Sequence, residues 1–157
     1  MLYISALKAR AAALQEAESC HFPKGGWWWT TAAEGAGPPA DADGFSPMDG
    51  PLVRTGEGRC VWIAAAYTVP ESVDGVPVAG SSIFLHANTV IAPVSVYVNR
   101  ERVFHAPFWT DLTRPEVVLT RQARPGDRYD ILICIHACAV LCGDGIAYHP
   151  RIEIERL

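Results

Sequence analysis

Residues 94–103 read Val-Ser-Val-Tyr-Val-Asn-Arg-Glu-Arg-Val. Val94, Val96 and Val98 alternate with Ser95 and Tyr97, a period of two that gives a strand one apolar and one more polar face. Asn99-Arg100 then reads as a two-residue hairpin turn, because Asn tolerates the left-handed backbone. Arg100 stands where Gly is usual, at a cost of about 1 kcal/mol. From residue 60 onward the same kind of pattern predicts strands over 60–69, 81–87, 93–98, 101–105, 116–120, 128–136 and 150–156. Turn signals separate them at Pro70, Asp74-Gly75, Pro77, Pro107, Pro115, Pro125-Gly126-Asp127 and Gly143-Asp144-Gly145. Short strands at this spacing indicate an antiparallel sandwich. Ile152 and Ile154, set between Arg151, Glu153 and Glu155, are expected to face its core.

The first sixty residues differ. Tyr3, Leu7, Ala11 and Leu14 recur at helical spacing and predict a helix over 2–19, so residues 1–22 are assigned to an N-terminal α-helix. Such a helix alone is marginal in water and needs a surface to pack on. Residues 23–58 form a Trp-, Gly- and Pro-rich lead-in, and 59–157 the sandwich. Within the lead-in, Trp27-Trp28-Trp29 cannot all point one way in a strand. Residues 35–44, rich in Gly, Pro and Ala, are loop, and a connection this long either moves or wraps over a face.

At 157 residues, with half of them apolar and 19% charged, the chain suits one globular domain with a real core. The net charge of −4 and the lack of a Lys/Arg stripe argue against a nucleic-acid partner. No apolar run is long enough to span a bilayer. Lys8, Arg10, Glu16 and Glu18 break the N-terminal resemblance to a signal peptide, so no membrane association and a cytoplasmic location are expected. The five cysteines are odd in number and unevenly spaced, which points to reduced, buried thiols and not to a disulfide scaffold.

Several segments, in order, resemble a known family. Val61-Trp62-Ile63 leading to Tyr67-Thr-Val-Pro-Glu71 is similar to the entry strand of sugar-binding domains in glycoside hydrolases. Val96-Tyr-Val-Asn99 with Val103 resembles their V-Y-V-N-G-x-x-V hairpin, with Arg100 in the place of Gly. Glu116-Val-Val-Leu-Thr120, Ala123-Arg-Pro-Gly-Asp127 and Tyr129-Asp-Ile-Leu-Ile133 resemble the run that precedes the catalytic barrel in bacterial-type family 38 α-mannosidases. The likeness extends over about residues 1–136, and the Cys-rich 134–142 segment departs from it. It implies an all-β antiparallel jelly-roll sandwich, galactose-binding-like, with one N-terminal α-helix. It also implies that zinc chemistry and the Asp nucleophile belong to a separate, larger domain, so no catalytic residue carries over and no cofactor is expected.

The residues themselves offer three chemistries. Asp41, Asp43, Asp49, Glu57, Asp111 and Glu116 could supply a glycosidase pair, but they fall in loops or at strand ends without visible pairing and read as solvated carboxylates. Cys134, His136, Cys138 and Cys142, with His149, suggest a small metal-binding protein. On a strand, however, Cys134 to Cys138 spans about 13 Å, too far for one ion, and core thiols fit better. Aromatic rings can stack on the apolar face of a pyranose. Trp27, Trp28, Trp29, Phe108 and Trp109 are the candidate platforms, with His105 and Asp111 beside the second group. The same rings suit packing against the sandwich or a neighbouring domain. Trp62, inside a strand, is assigned to the core.

The expected function is a non-catalytic, carbohydrate-binding-like accessory domain of an α-mannosidase-type glycosidase, bracing the catalytic domain and bordering its sugar cleft. The alternatives are a free-standing carbohydrate-binding module and the small metal protein. The expected partners are a glycosidase catalytic domain or carbohydrate, and a second copy could cover leftover apolar surface.

Overall fold

The computed structural model describes residues 26–56, 58–90, 92–107, 115–136 and 145–156. The N-terminal helix expected over 1–22 lies outside the described residues, and every regular element among them is a strand. In chain order these are β1 (Trp28–Ala33), β2 (Ser46–Pro47), β3 (Leu52–Arg54), β4 (Arg59–Thr68) and β5 (Ser72–Val73). Next come β6 (Val76–Pro77), β7 (Ser82–His86), β8 (Thr89–Val90), β9 (Val94–Val98) and β10 (Glu101–Ala106). The last four are β11 (Glu116–Thr120), β12 (Arg128–Ile135), β13 (Ile146–Tyr148) and β14 (Arg151–Glu155). All seven predicted strands are present, each within a residue or so of its expected bounds.

One layer is a six-stranded sheet in the order β10-β9-β12-β4-β1-β2. Two three-stranded sheets, β11-β7-β14 and β3-β13-β8, supply the facing residues, and every recorded pairing is antiparallel. The main core lies between them. Val61, Ile63, Val94, Val96, Ile131, Ile133 and Ile135 from the six-stranded sheet meet Val53, Leu85, Val117 and Ala147 from the other two. The segment 28–54, ahead of the expected sandwich boundary, contributes β1 and β2 to the large sheet and β3 to the facing layer.

The alternating register of β4 and β12 splits their side chains between two faces. Odd-numbered residues enter the main core; Cys60, Trp62, Ala64, Leu132 and Cys134 form a second cluster on the outer face. Both faces are therefore covered, which is why these strands read as continuous apolar runs instead of alternating ones. The cover on the outer side comes from Ala42 and Phe45 of the long loop after β1, which wraps over the sheet.

The β9–β10 hairpin matches its prediction. Asn99 and Arg100 both have positive φ, 49° and 69°, and Glu101 pairs with Val98, the geometry of a twist-matched two-residue turn. Asn99 adds a local anchor, since its Oδ1 accepts from the Asp130 N–H at 2.9 Å while its own N–H donates to the Asp130 carbonyl at 2.8 Å. Asp74-Gly75 closes the small β5–β6 hairpin in the same way, with φ of 51° and 77°. Ile152 and Ile154 pack on the core as their alternation requires.

A candidate binding cleft at the splayed end of β1 and β4

Trp27 and Trp29 pack against the main core. Trp28 pairs with Ala64, an outer-face residue, so alternation puts its indole on the other side. The three rings divide between faces as the strand geometry demands. His105 lies on β10, where Ser95 Oγ and His105 Nδ1 share a hydrogen bond at 2.8 Å. Strands β9, β12 and β4 stand between β10 and β1. Four strand spacings put His105 about 19 Å from the Trp run, so His105 and the Trp run are separate places. Phe108, Trp109 and Asp111 lie outside the described residues, as do Glu57, Cys138 and Cys142.

The Trp run has its own concave surface. The pairing of β1 with β4 runs from Ala33↔Arg59 to Trp28↔Ala64 and stops there. Trp27 still faces β2, its carbonyl accepting from the Met48 N–H at 2.8 Å, and the chain bends at Gly26. Gly26, with φ of 81°, takes the turn in a backbone region that L side chains rarely adopt. Strand β4 continues four residues further, to Thr68, held on its other edge by β12. The divergence leaves a cleft of about 320 Å³ lined by Gly26, Trp27, Ala65, Ala66, Tyr67, Thr68 and Ile152.

The backbone of β4 adds polar groups to this cleft. The Glu34 N–H donates to the Gly58 carbonyl on the β1 side, whereas the Val69 N–H donates to the Asp127 carbonyl on the β12 side. Backbone groups alternate edges along an antiparallel strand. Even-numbered residues therefore present N–H and C=O toward β1, and odd ones toward β12. Ala66 and Thr68 aim theirs at the cleft, beyond the last β1 pair, where no strand among the described residues takes them up. The walls are the aromatic rings of Trp27 and Tyr67 and the side chain of Ile152. Burial, then the neighbouring Tyr129, pushes the Tyr67 phenol above its ordinary value, so it stays neutral.

Of the cysteines, the described pair Cys60 and Cys134 behaves as core. Cys60 and Cys134 are free, buried thiols on the outer face. The Cys60 thiol donates to the carbonyls of Ala32 and Ala33 at 3.7 and 3.5 Å. Burial is the main cause that pushes both thiols upward, followed by the charge of Glu34 at Cys60 and by Cys60 itself at Cys134. His136 instead contacts Glu34, Nδ1 to Oε1 at 2.9 Å. Among the described residues no three His, Cys, Asp or Glu side chains gather to hold a metal. Trp62 is in the core as expected, but on the outer cluster and with its Nε1 lacking a hydrogen-bond partner.

Of the cleft residues, only Trp27 was marked in the sequence as a sugar contact. Tyr67 and Thr68 stood out only within a motif and Ile152 only as a core residue, because their place in the cleft depends on where two strands thirty-odd residues apart stop pairing. Also among the described residues, no helix is long and apolar enough to cross a membrane.

No family model matches the chain, and no curated protein matches it by sequence. Solved structures do resemble it. A segment of the β-glucosidase from Kluyveromyces marxianus, crystallised with glucose, aligns at a TM-score of 0.52 and 10% identity over 84% of this chain. The chain corresponds to 17% of that enzyme's length. A β-glucuronidase from Faecalibacterium prausnitzii aligns at 0.49 and 16% identity, over 72% of this chain and 20% of that one. The module TmCBM61, solved with β-1,4-galactotriose, aligns at 0.44 and 14% identity, over 81% of this chain and 88% of its own. At these identities the β-glucosidase match shows the fold alone.

Proposed function

We propose that this chain is a non-catalytic, carbohydrate-binding-like accessory domain of a glycosidase. The observation that carries the reading is the cleft at the end of β4, where two aromatic walls stand beside backbone donors and acceptors that no strand among the described residues pairs. Sugar rings are bound by this combination, an aromatic face for the C–H side and polar groups for the hydroxyls. The β-glucosidase likeness supports the same reading at the level of fold, since there such a domain is a minor part of a large enzyme. The finer reading is a galactose-binding-like jelly roll of the kind that precedes the catalytic barrel in α-mannosidases, bracing that barrel and bordering its cleft. It rests on the motif order Val61–Glu71, Val96–Val103 and Glu116–Ile133.

Calorimetric titration of the full chain with neutral mono- and oligosaccharides tests it. Heat that saturates, and that is lost in Trp27→Ala, supports the reading; a folded chain that binds none of them overturns it. A parallel Trp109→Ala variant tests the second platform, His105 with Phe108, Trp109 and Asp111. Hydrolysis of an aryl α-mannoside by the purified chain would overturn the non-catalytic assignment.

A further inference from the structure

The chemistry of the cleft selects a class of sugar, and this step rests on the carbohydrate reading above. None of the described residues lining it is charged. Among the described residues its polar groups are the Thr68 hydroxyl, the neutral Tyr67 phenol, and the backbone of Ala66 and Thr68, which no described strand pairs. A carboxylate or sulfate brought here would leave water without meeting a cation, a costly transfer. An ammonium would meet no carboxylate. A hydroxyl both donates and accepts, and the N–H and C=O groups of one strand edge offer both roles side by side.

A peptide strand could in principle use the same edge. The stretch that no described strand pairs, however, offers only two outward-facing residues, Ala66 and Thr68, before β4 ends. Strands that add to a sheet need a run of several residues to be held. A single ring fits the available groups better than an extended chain.

We infer that the cleft binds an uncharged pyranose, its apolar face against Trp27 and its hydroxyls on the backbone groups of Ala66 and Thr68. Binding of this kind is indifferent to salt, because no ion pair forms. The test uses the full chain and matched probes: methyl glycosides of glucose, galactose and mannose, and the corresponding methyl uronides. Two-dimensional amide NMR follows the titration. The expected result is a shift of the Ala66 and Thr68 amides on adding at least one neutral glycoside. The matching uronide should bind about tenfold more weakly or worse, a penalty of about 1.4 kcal/mol. Affinity should hold between low and high salt. Trp27→Phe should retain most of the affinity and Trp27→Ala should lose about tenfold. If Trp27→Ala fails to fold, the wild-type amide shifts decide alone.

Uronide binding as tight as neutral binding, or affinity that falls steeply with salt, overturns the uncharged-ligand inference and leaves the carbohydrate reading standing. Shifts centred on His105 and its neighbours, with Ala66 and Thr68 unmoved, overturn the assignment to this cleft. No response to any glycoside from a folded chain overturns both.

Discussion

The two faces of the six-stranded sheet are built from different materials. On the inner face, Val61, Ile63, Val94, Val96, Ile131, Ile133 and Ile135 look across at a second layer of strands. Stacked sheets stand about 10 Å apart, and large branched side chains fill that gap. On the outer face, Cys60, Trp62, Ala64, Leu132 and Cys134 look at one irregular loop that brings Ala42 and Phe45. A loop can settle closer than a sheet, so small residues such as Cys60, Ala64 and Cys134 suffice beside Trp62. The same strands thus take part in a sandwich core on one side and a loop-covered minicore on the other. The first core should hold the fold together, and the second should hold the loop down.

Substitutions on neighbouring residues of β12 test this division most strongly. Ile133 and Leu132 point to opposite faces and are 1% and 5% exposed. Ile133→Ala is expected to cost about 3–4 kcal/mol and Leu132→Ala about 2–3 kcal/mol, the difference arising because a loop collapses onto a void more readily than a sheet does. Urea denaturation measures both. Equal losses would mean that the loop is as rigid a cover as the second layer. Phe45→Ala, removing a half-buried ring of the cover, should cost about 1.5 kcal/mol. It should also raise amide exchange in residues 36–45 while leaving β7 and β14 protected.

A pH titration sharpens the same contrast, because the outer minicore holds the buried thiols. Cys134 and Cys60 are both pushed above the ordinary thiol value of 9.0 by burial. Above that pH the unfolded chain releases thiol protons that the folded chain retains. The folded state then binds more protons than the unfolded one, and stability falls as pH rises. Below that value the thiols contribute no slope. One pH unit above it the loss should be on the order of 1 kcal/mol, and Cys134→Ala should flatten the alkaline limb. An unchanged limb in that variant would place the alkaline sensitivity elsewhere, with the Tyr67 phenol, also raised by burial, the next group to examine.

Legibility in the sequence follows from the same physics. Strands β9 and β14 announce themselves because one face is apolar and the other polar. Strands β4 and β12 announce themselves by length and by β-branched and aromatic content, although their continuous apolar runs conceal which residue faces which core. Strand β1 was hidden: Trp-Trp-Thr-Thr-Ala-Ala carries no alternation and sits amid Gly and Pro. Strands β2, β3, β5, β6, β8 and β13 are two or three residues long, too short for any period to show. The turn at Asn99-Arg100 was legible because its chemistry is local. The cleft was not, because it exists only where the register of β1 on β4 ends, and register is a property of the pair. The hydrogen bond of His136 with Glu34 joins residues 102 positions apart and is equally invisible along the chain.

Arg100 joins the two parts of the comparison and carries the smallest expected effect. It occupies the left-handed region at φ of 69°, which costs a non-glycine residue about 1 kcal/mol. Its guanidinium donates to the Ala40 carbonyl at 3.3 Å, tying the hairpin to the loop that covers the outer face. That contact is exposed and long, worth a few tenths of a kcal/mol at most. Arg100→Gly removes the strain and the tether together, and should stabilise the fold by about 0.5 kcal/mol. Arg100→Ala removes the tether but keeps a Cβ in the left-handed region, and should destabilise it by a few tenths of a kcal/mol. Thermal melts of the two variants beside the wild type separate the contributions. If Arg100→Gly melts lower than the wild type, the tether outweighs the strain, and the loop's grip on the outer face depends on the hairpin more than on Phe45.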